Sequence, residues 1–139
     1  MGLGEKLFEE SGKVTSFKIT KVHPVEGTTI EVSATIDLKG VGRFPSGKEM
    51  ASGIMVQYPH GVVDGTFQGN LMTANGEQIF WWAHEKSRVG QDGKIKGLAI
   101  LSMFTNSQTL NWVNRIVAAL ETEFSPETMQ FKSVAYEWT

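Results

Sequence analysis

The sequence contains no cysteine, and this absence excludes several kinds of chemistry at once. Without thiols the chain has no disulfide bond, no thiolate zinc site, no iron–sulfur cluster and no cysteine nucleophile. The absence is compatible with a cytoplasmic location, which is the location we expect. The histidines, His23, His60 and His84, are not spaced as pairs of metal ligands, so we expect no metal and no cofactor.

An excess of charge and long hydrophobic runs are also missing. Lys and Arg total 13 against 15 Asp and Glu, a net charge of −2, which does not indicate nucleic-acid binding. No stretch approaches the roughly 20 apolar residues that span a bilayer. Residues 1–10 include several charged side chains and lack the apolar run of a signal peptide. We therefore expect one soluble domain over residues 1–139, with no nucleic-acid or membrane partner and with residues 1–10 poorly ordered.

The clearest pattern in the sequence is a strand over residues 29–38. Apolar and polar residues alternate there without interruption, as in a strand with one buried and one solvated face. Turn signals at Asn75-Gly76 and Asp92-Gly93 favour hairpins, and further Pro and Gly residues divide most of the remaining chain. We count about eight strands in sequential order. An all-β antiparallel meander of that size predicts a small closed barrel, with an open sandwich as the alternative.

One segment departs from the strand pattern. Over Thr109–Phe124 the apolar residues fall at a helical spacing, and Ser125-Pro126 would end a helix before a last strand, Met129–Trp138. The segments 79–83 and 97–104 are apolar on both faces, so their outer face needs a cover. The predicted helix is one candidate for that cover, and a second copy of the chain in a homo-oligomer is the other. The apolar positions of the predicted helix are Leu110, Val113, Ile116, Val117 and Leu120.

Candidate ligand-binding residues come from two strands. Phe80, Trp82 and His84 share one face of a strand, so if the aromatic rings face inward, His84 lies at the barrel mouth. Tyr58 has the corresponding place at the end of an earlier strand, where its phenol could meet a ligand or simply pack. The alternative is that Trp82 fills a core and that His84 is exposed. Glu49 and Glu85 are isolated carboxylates, and we interpret them as parts of solvated strand faces.

The stretch Thr66-Phe67-Gln68-Gly69-Asn70-Leu71 resembles the T-F-x-G-[DN]-L motif of a bacterial family of unknown function. Members of that family look like allene oxide cyclase in fold, which is an eight-stranded antiparallel meander closed into a barrel. The resemblance extends over roughly residues 11–138 and implies the fold. Allene oxide cyclases close a ring on an unsaturated fatty-acid epoxide inside the barrel, but none of their site residues matches a position here.

Three functions remain open from the sequence. The first is a barrel that binds a small apolar or amphipathic molecule in its interior. The second is an enzyme of the isomerase or cyclase type, in which a cavity holds one conformer of the substrate. The third is a structural or oligomeric interaction module with a filled core. An internal cavity would favour the first two, and a filled interior would favour the third.

Overall fold

The computed structural model describes residues 2–139, and within them eight antiparallel strands close into one barrel. Each strand pairs with the next along the chain, and the last pairs with the first. This arrangement confirms the predicted meander and closed barrel. The strands are β1 (Leu3–His23), β2 (Gly27–Gly40), β3 (Gly47–Gln57), β4 (Val62–Thr73), β5 (Gln78–Val89), β6 (Ile95–Phe104), β7 (Val117–Ser125) and β8 (Gln130–Trp138).

The hairpin turns lie where turn chemistry predicted them. Gly76, between β4 and β5, and Gly93, between β5 and β6, both have a φ of 80°. Glycine adopts this conformation without the steric cost of a side chain. The short connections bring sequential strands side by side, and the alternation of β2 sends Ile30, Ile36 and Leu38 into the interior.

The predicted helix over residues 109–124 is wrong. The segment forms one short 3₁₀ helix, Asn111–Arg115, and then continues as strand β7. Leu110, Val113 and Ile116 are buried at a spacing of three residues, which is the 3₁₀ period. From Ala118 onward the inward residues follow the period of two, and Val117 is exposed. In the sequence, a spacing of three residues followed directly by a spacing of two looks like the helical spacing of 3.6 residues.

The expectation of a poorly ordered N-terminal segment does not hold for residues 3–10. They form the first part of β1, paired with β2 on one side and β8 on the other. Phe8 is 1% exposed and packs in the core, so this segment is anchored by burial as well as by backbone pairing. Met1 lies outside the described residues.

One end of the barrel is closed by large apolar side chains. We call it the plugged end: it lies where β2 joins β3, β4 joins β5 and β6 joins β7 through the 3₁₀ helix. The Phe44 ring stacks near Phe8, with ring centroids 4.8 Å apart, and meets Trp112 edge-on at 5.9 Å. The Arg43 guanidinium covers Trp112 at 3.8 Å. The core here includes Leu71, Ile79, Leu101, Met103, Leu110, Val113 and Ala118.

The opposite end, which we call the turn end, has a smaller apolar cluster. It contains Ile30, Val32, Met55, Val63 and Ile95. Here β8 pairs with β1 as far as Lys13 opposite Gln130. The remainder of β1, from Ser16 to His23, pairs with β2. The polar and open part of the interior lies between the two apolar clusters.

No helix within residues 2–139 is long and apolar enough to cross a bilayer.

Candidate functional site

A cavity of about 140 Å³ lies inside the barrel, between the plugged end and the turn end. Its walls are largely apolar, with aromatic rings from four strands and small side chains between them. Carboxyl and hydroxyl groups interrupt this surface. The apolar wall includes Val32, Met55, Phe67, Trp81, Ala99 and Phe131. The polar groups belong to Glu10, Ser52, Glu85, Thr122, Glu123 and Ser133.

Glycines on neighbouring strands make room for the aromatic rings. A side chain at Gly69 would collide with the Trp81 ring, and a side chain at Gly12 would collide with Phe131. Gly69 lies directly opposite Trp81 in the β4–β5 register, as Gly12 lies opposite Phe131 between β1 and β8. Each large ring therefore lies flat over a glycine, which leaves space in the middle of the barrel.

Two carboxyl groups meet in the buried interior. Glu10 of β1 is 8% exposed and Glu49 of β3 is 3% exposed. Burial raises the pKa of Glu49 well above its ordinary value, and the charge of Glu10 and a hydrogen bond with it raise that pKa further. Ser133 Oγ donates a hydrogen bond of 2.6 Å to Glu10 Oε1. The neighbouring acidic group and the burial together disfavour the ionised form of Glu49.

Glu85 on β5 supplies a third inward carboxyl group. It is half-buried and lines the cavity. Burial raises its pKa, and the hydrogen bond from Ser87 Oγ to Glu85 Oε2, 2.6 Å long, opposes part of that rise. Glu85 therefore holds a proton more readily than a solvated glutamate does, beside open space that a small molecule could occupy.

A second, smaller space of about 20 Å³ lies deeper, toward the plugged end. Glu10 and Trp81 border both spaces, and Glu49 borders the deeper one. Within residues 2–139, neither Glu49 Oε2 nor Trp81 Nε1 has a hydrogen-bond partner. Buried polar groups are nearly always paired, so these two atoms mark the place where an additional polar group would be stabilised.

The predicted site residues do not line this cavity. Trp81, 8% exposed, faces inward, and Trp82, 51% exposed, faces outward, so the predicted inward orientation of Phe80 and Trp82 is wrong. His84 shares the outer face, where its Nε2 lies 2.8 Å from Asp64 Oδ1. Tyr58 lies at the β3–β4 turn and is exposed. The structure brings Phe80, Trp82 and His84 together on the outer surface and leaves Tyr58 apart. A ligand-binding role for these four residues stays a prediction.

The outer face of β5 and β6 is not covered by a helix. Trp82, Leu98, Ile100 and Phe104 are all exposed there. Of the two covers considered from the sequence, a second copy of the chain therefore stays a prediction.

The two carboxylates interpreted as solvated are the residues that sequence reasoning missed. Glu49 and Glu85 both face the interior, so their interpretation as solvated strand faces is wrong. A signal was present in β5: Lys86 and Arg88 share the parity of Trp82, and long basic side chains favour the wet face. The other face of β5, which carries Trp81 and Glu85, is then the one that points into the barrel.

Comparisons with known proteins place the fold. No family model matches the chain, and no match was found among curated proteins. A protein with unknown function from Clostridium acetobutylicum aligns with a TM-score of 0.85 at 12% identity, over 97% of this chain and 95% of that one. A beta-barrel like protein from Acinetobacter baumannii aligns with a TM-score of 0.81 at 13% identity, over 97% and 94%.

An enzyme from Penicillium herquei also aligns, with a TM-score of 0.65 at 16% identity, over 99% of this chain and 96% of that one. At these identities the likeness concerns the barrel fold. The bacterial neighbours share that fold along nearly their whole length, so the chain spans a complete barrel of this type.

Proposed function

We propose that this barrel binds a small amphipathic molecule in its interior cavity. The observation that carries the proposal is an interior space of about 140 Å³ with apolar, partly aromatic walls and a few polar groups. Ligand pockets typically have this composition, since apolar contact supplies affinity and polar groups fix orientation. The cavity also supports the first two functions considered from the sequence over a module with a filled core.

The size of the space limits the ligand. An apolar cavity of about 150 Å³ in another protein admits benzene. The space here is similar, so a single ring or a short branched chain would fill it. Half-buried wall residues such as Ala51, Phe67 and Ala83 would lose their remaining contact with water on binding, which provides the hydrophobic driving force.

The binding proposal is tested by ligand-induced stabilisation. We expect benzyl alcohol or toluene to raise the melting temperature, because a ligand that binds the native state alone adds about 2.7 kcal/mol at a hundredfold excess over Kd. Ala99→Leu, which fills the cavity, should abolish the shift. Trp82→Ala, on the outer face, should retain it. A shift that survives Ala99→Leu and disappears in Trp82→Ala would place the site on the outer surface and contradict the proposal.

A second candidate is an enzyme of the isomerase or cyclase type, in line with the allene oxide cyclase-like resemblance. The observation that favours it is Glu85, a carboxyl group with a raised pKa that borders the cavity. A carboxyl group whose pKa is raised by burial is suited to donate a proton to a bound substrate. Under this interpretation Glu85→Gln would retain ligand binding but lose turnover, whereas a binding protein would show no turnover in either form.

A further inference from the structure

The charged groups that border the interior all have one sign. Acidic residues from four different strands, Glu10, Glu49, Glu85 and Glu123, border the two internal spaces. Among the lining residues described within positions 2–139 there is no Lys, Arg or His. Glu123 of β7, which also borders the larger space, forms ion pairs with Lys94 and Lys132. Glu10, Glu49 and Glu85 thus have no basic partner among the described residues.

Such an arrangement is costly in an empty barrel. A buried carboxylate without a positive partner loses its hydration and gains no ion pair in return. The Glu10–Glu49 pair also keeps an unused acceptor, because Glu49 Oε2 has no partner in the described part of the chain. Ser133 provides the pair with one hydrogen bond, to Glu10. A positively charged group next to Glu10 would supply the missing counter-charge.

We propose that the ligand of the cavity is a small organic cation, a protonated amine on an apolar body, held by Glu10 and Glu85. This inference rests on the proposed binding function and names the class of ligand. An ammonium group has three hydrogen-bond donors and no acceptor, which matches a site made of carboxyl oxygens. Phe67, Trp81 and Phe131 would contact the apolar body, and aromatic ring faces also attract cations.

Two other ligand classes fit the interior less well. A ligand with a carboxylate would bring a further acidic group beside Glu10 and Glu85 in a buried space, with no basic side chain there to pair with it, which is unfavourable. A bare metal ion needs several ligands at short distance, and over residues 2–139 no group of three or more His, Cys, Asp or Glu side chains is placed to hold one. An ammonium ion needs less convergence, because its donors can reach separate carboxyl groups.

The test compares three ligands with the same ring and different charges: benzylamine, benzyl alcohol and benzoate. Binding to the parent protein is measured at pH 7 by isothermal titration calorimetry. We expect benzylamine to bind at least about tenfold more tightly than benzyl alcohol, and benzoate not to bind. Glu10→Gln and Glu85→Gln should each reduce the preference for benzylamine while benzyl alcohol still binds. Glu121→Gln is the matched control, since this exposed residue carries the same charge outside the barrel.

The outcomes separate this inference from the proposed function. Equal affinity of the parent for benzylamine and benzyl alcohol would overturn the cationic ligand and leave the binding cavity intact. A preference that persists in both Glu10→Gln and Glu85→Gln, or that is lost equally in Glu121→Gln, would overturn the assignment of the carboxyl groups. If none of the three compounds binds, both the inference and the proposed function are wrong.

Discussion

The plugged end and the cavity are built from the same alternating strands but are filled differently. At the plugged end, large side chains such as Leu71, Ile79 and Val113 pack with at most 1% of their surface exposed. In the cavity the inward positions are occupied by small residues, by rings that lie over glycines and by carboxyl groups. The plugged end is therefore close-packed, whereas the cavity leaves inward space that the proposed ligand would fill.

The largest expected effect is the loss of a large side chain at the plugged end. Leu71→Ala should lower the free energy of unfolding by about 2–5 kcal/mol, because it leaves a hole in a close-packed region. Met55→Ala, in the cavity wall, should cost less, since the side chain already borders empty space. Urea denaturation of both variants measures the difference. Equal losses, or a larger loss at Met55, would remove the distinction between the two regions.

The reverse experiment adds volume in both regions. Ala118, at the plugged end, is fully buried and Ala99, in the cavity wall, is 3% exposed. Ala118→Leu should destabilise the protein by about 1–3 kcal/mol through overpacking, whereas Ala99→Leu should be neutral or stabilising because it occupies free space. Thermal unfolding provides the comparison. A destabilisation by Ala99→Leu as large as that by Ala118→Leu would mean that the cavity cannot take up added atoms.

A smaller effect is expected from the buried acid pair, and it depends on pH. The pKa of Glu49 is raised in the folded protein, so the folded state binds more protons than the unfolded state above the ordinary value of 4.5. The stability that this group contributes is therefore complete below that value and falls as the pH rises through the folded pKa. Glu49→Gln removes this loss, and we expect a gain of about 1–2 kcal/mol at pH 8 that shrinks toward pH 4.

The control for this prediction is Glu121→Gln, on the solvated face of β7. It should change neither the stability nor its dependence on pH. A parent protein that becomes more stable between pH 5 and pH 8 relative to Glu49→Gln would contradict the assigned direction of the pKa shift.

Local patterns were enough to predict the architecture. Strand β2 alternates between one buried and one solvated face. The Asn75-Gly76 and Asp92-Gly93 turns join strands that pair antiparallel, and these two signals together predict a closed meander. The helix was mispredicted because a 3₁₀ spacing runs directly into a strand spacing at Ile116. Its β-branched residues, which favour strands, were the signal against a helix.

The candidate site was harder to predict because β5 is apolar on both faces. The two-residue alternation of a strand does not by itself show which of Trp81 and Trp82 faces inward. An error of one residue moves every side chain of the strand to the opposite face of the sheet. The decision depends on pairing: Gly69 lies opposite Trp81 and leaves room for its ring. The approach of Glu10 to Glu49 depends on barrel closure, since they lie on strands that are not neighbours, so no local pattern reveals it.

The most direct test of the central claim is to locate a bound molecule by NMR. Nuclear Overhauser contacts would be measured between benzylamine or benzyl alcohol and the methyl groups of the protein labelled at alanine and isoleucine. Binding inside the barrel predicts contacts with Ala51, Ala83 and Ala99, which line the cavity, and none with Ile100 on the outer face. Contacts with Ile100 in the absence of contacts with the three alanines would contradict an interior site.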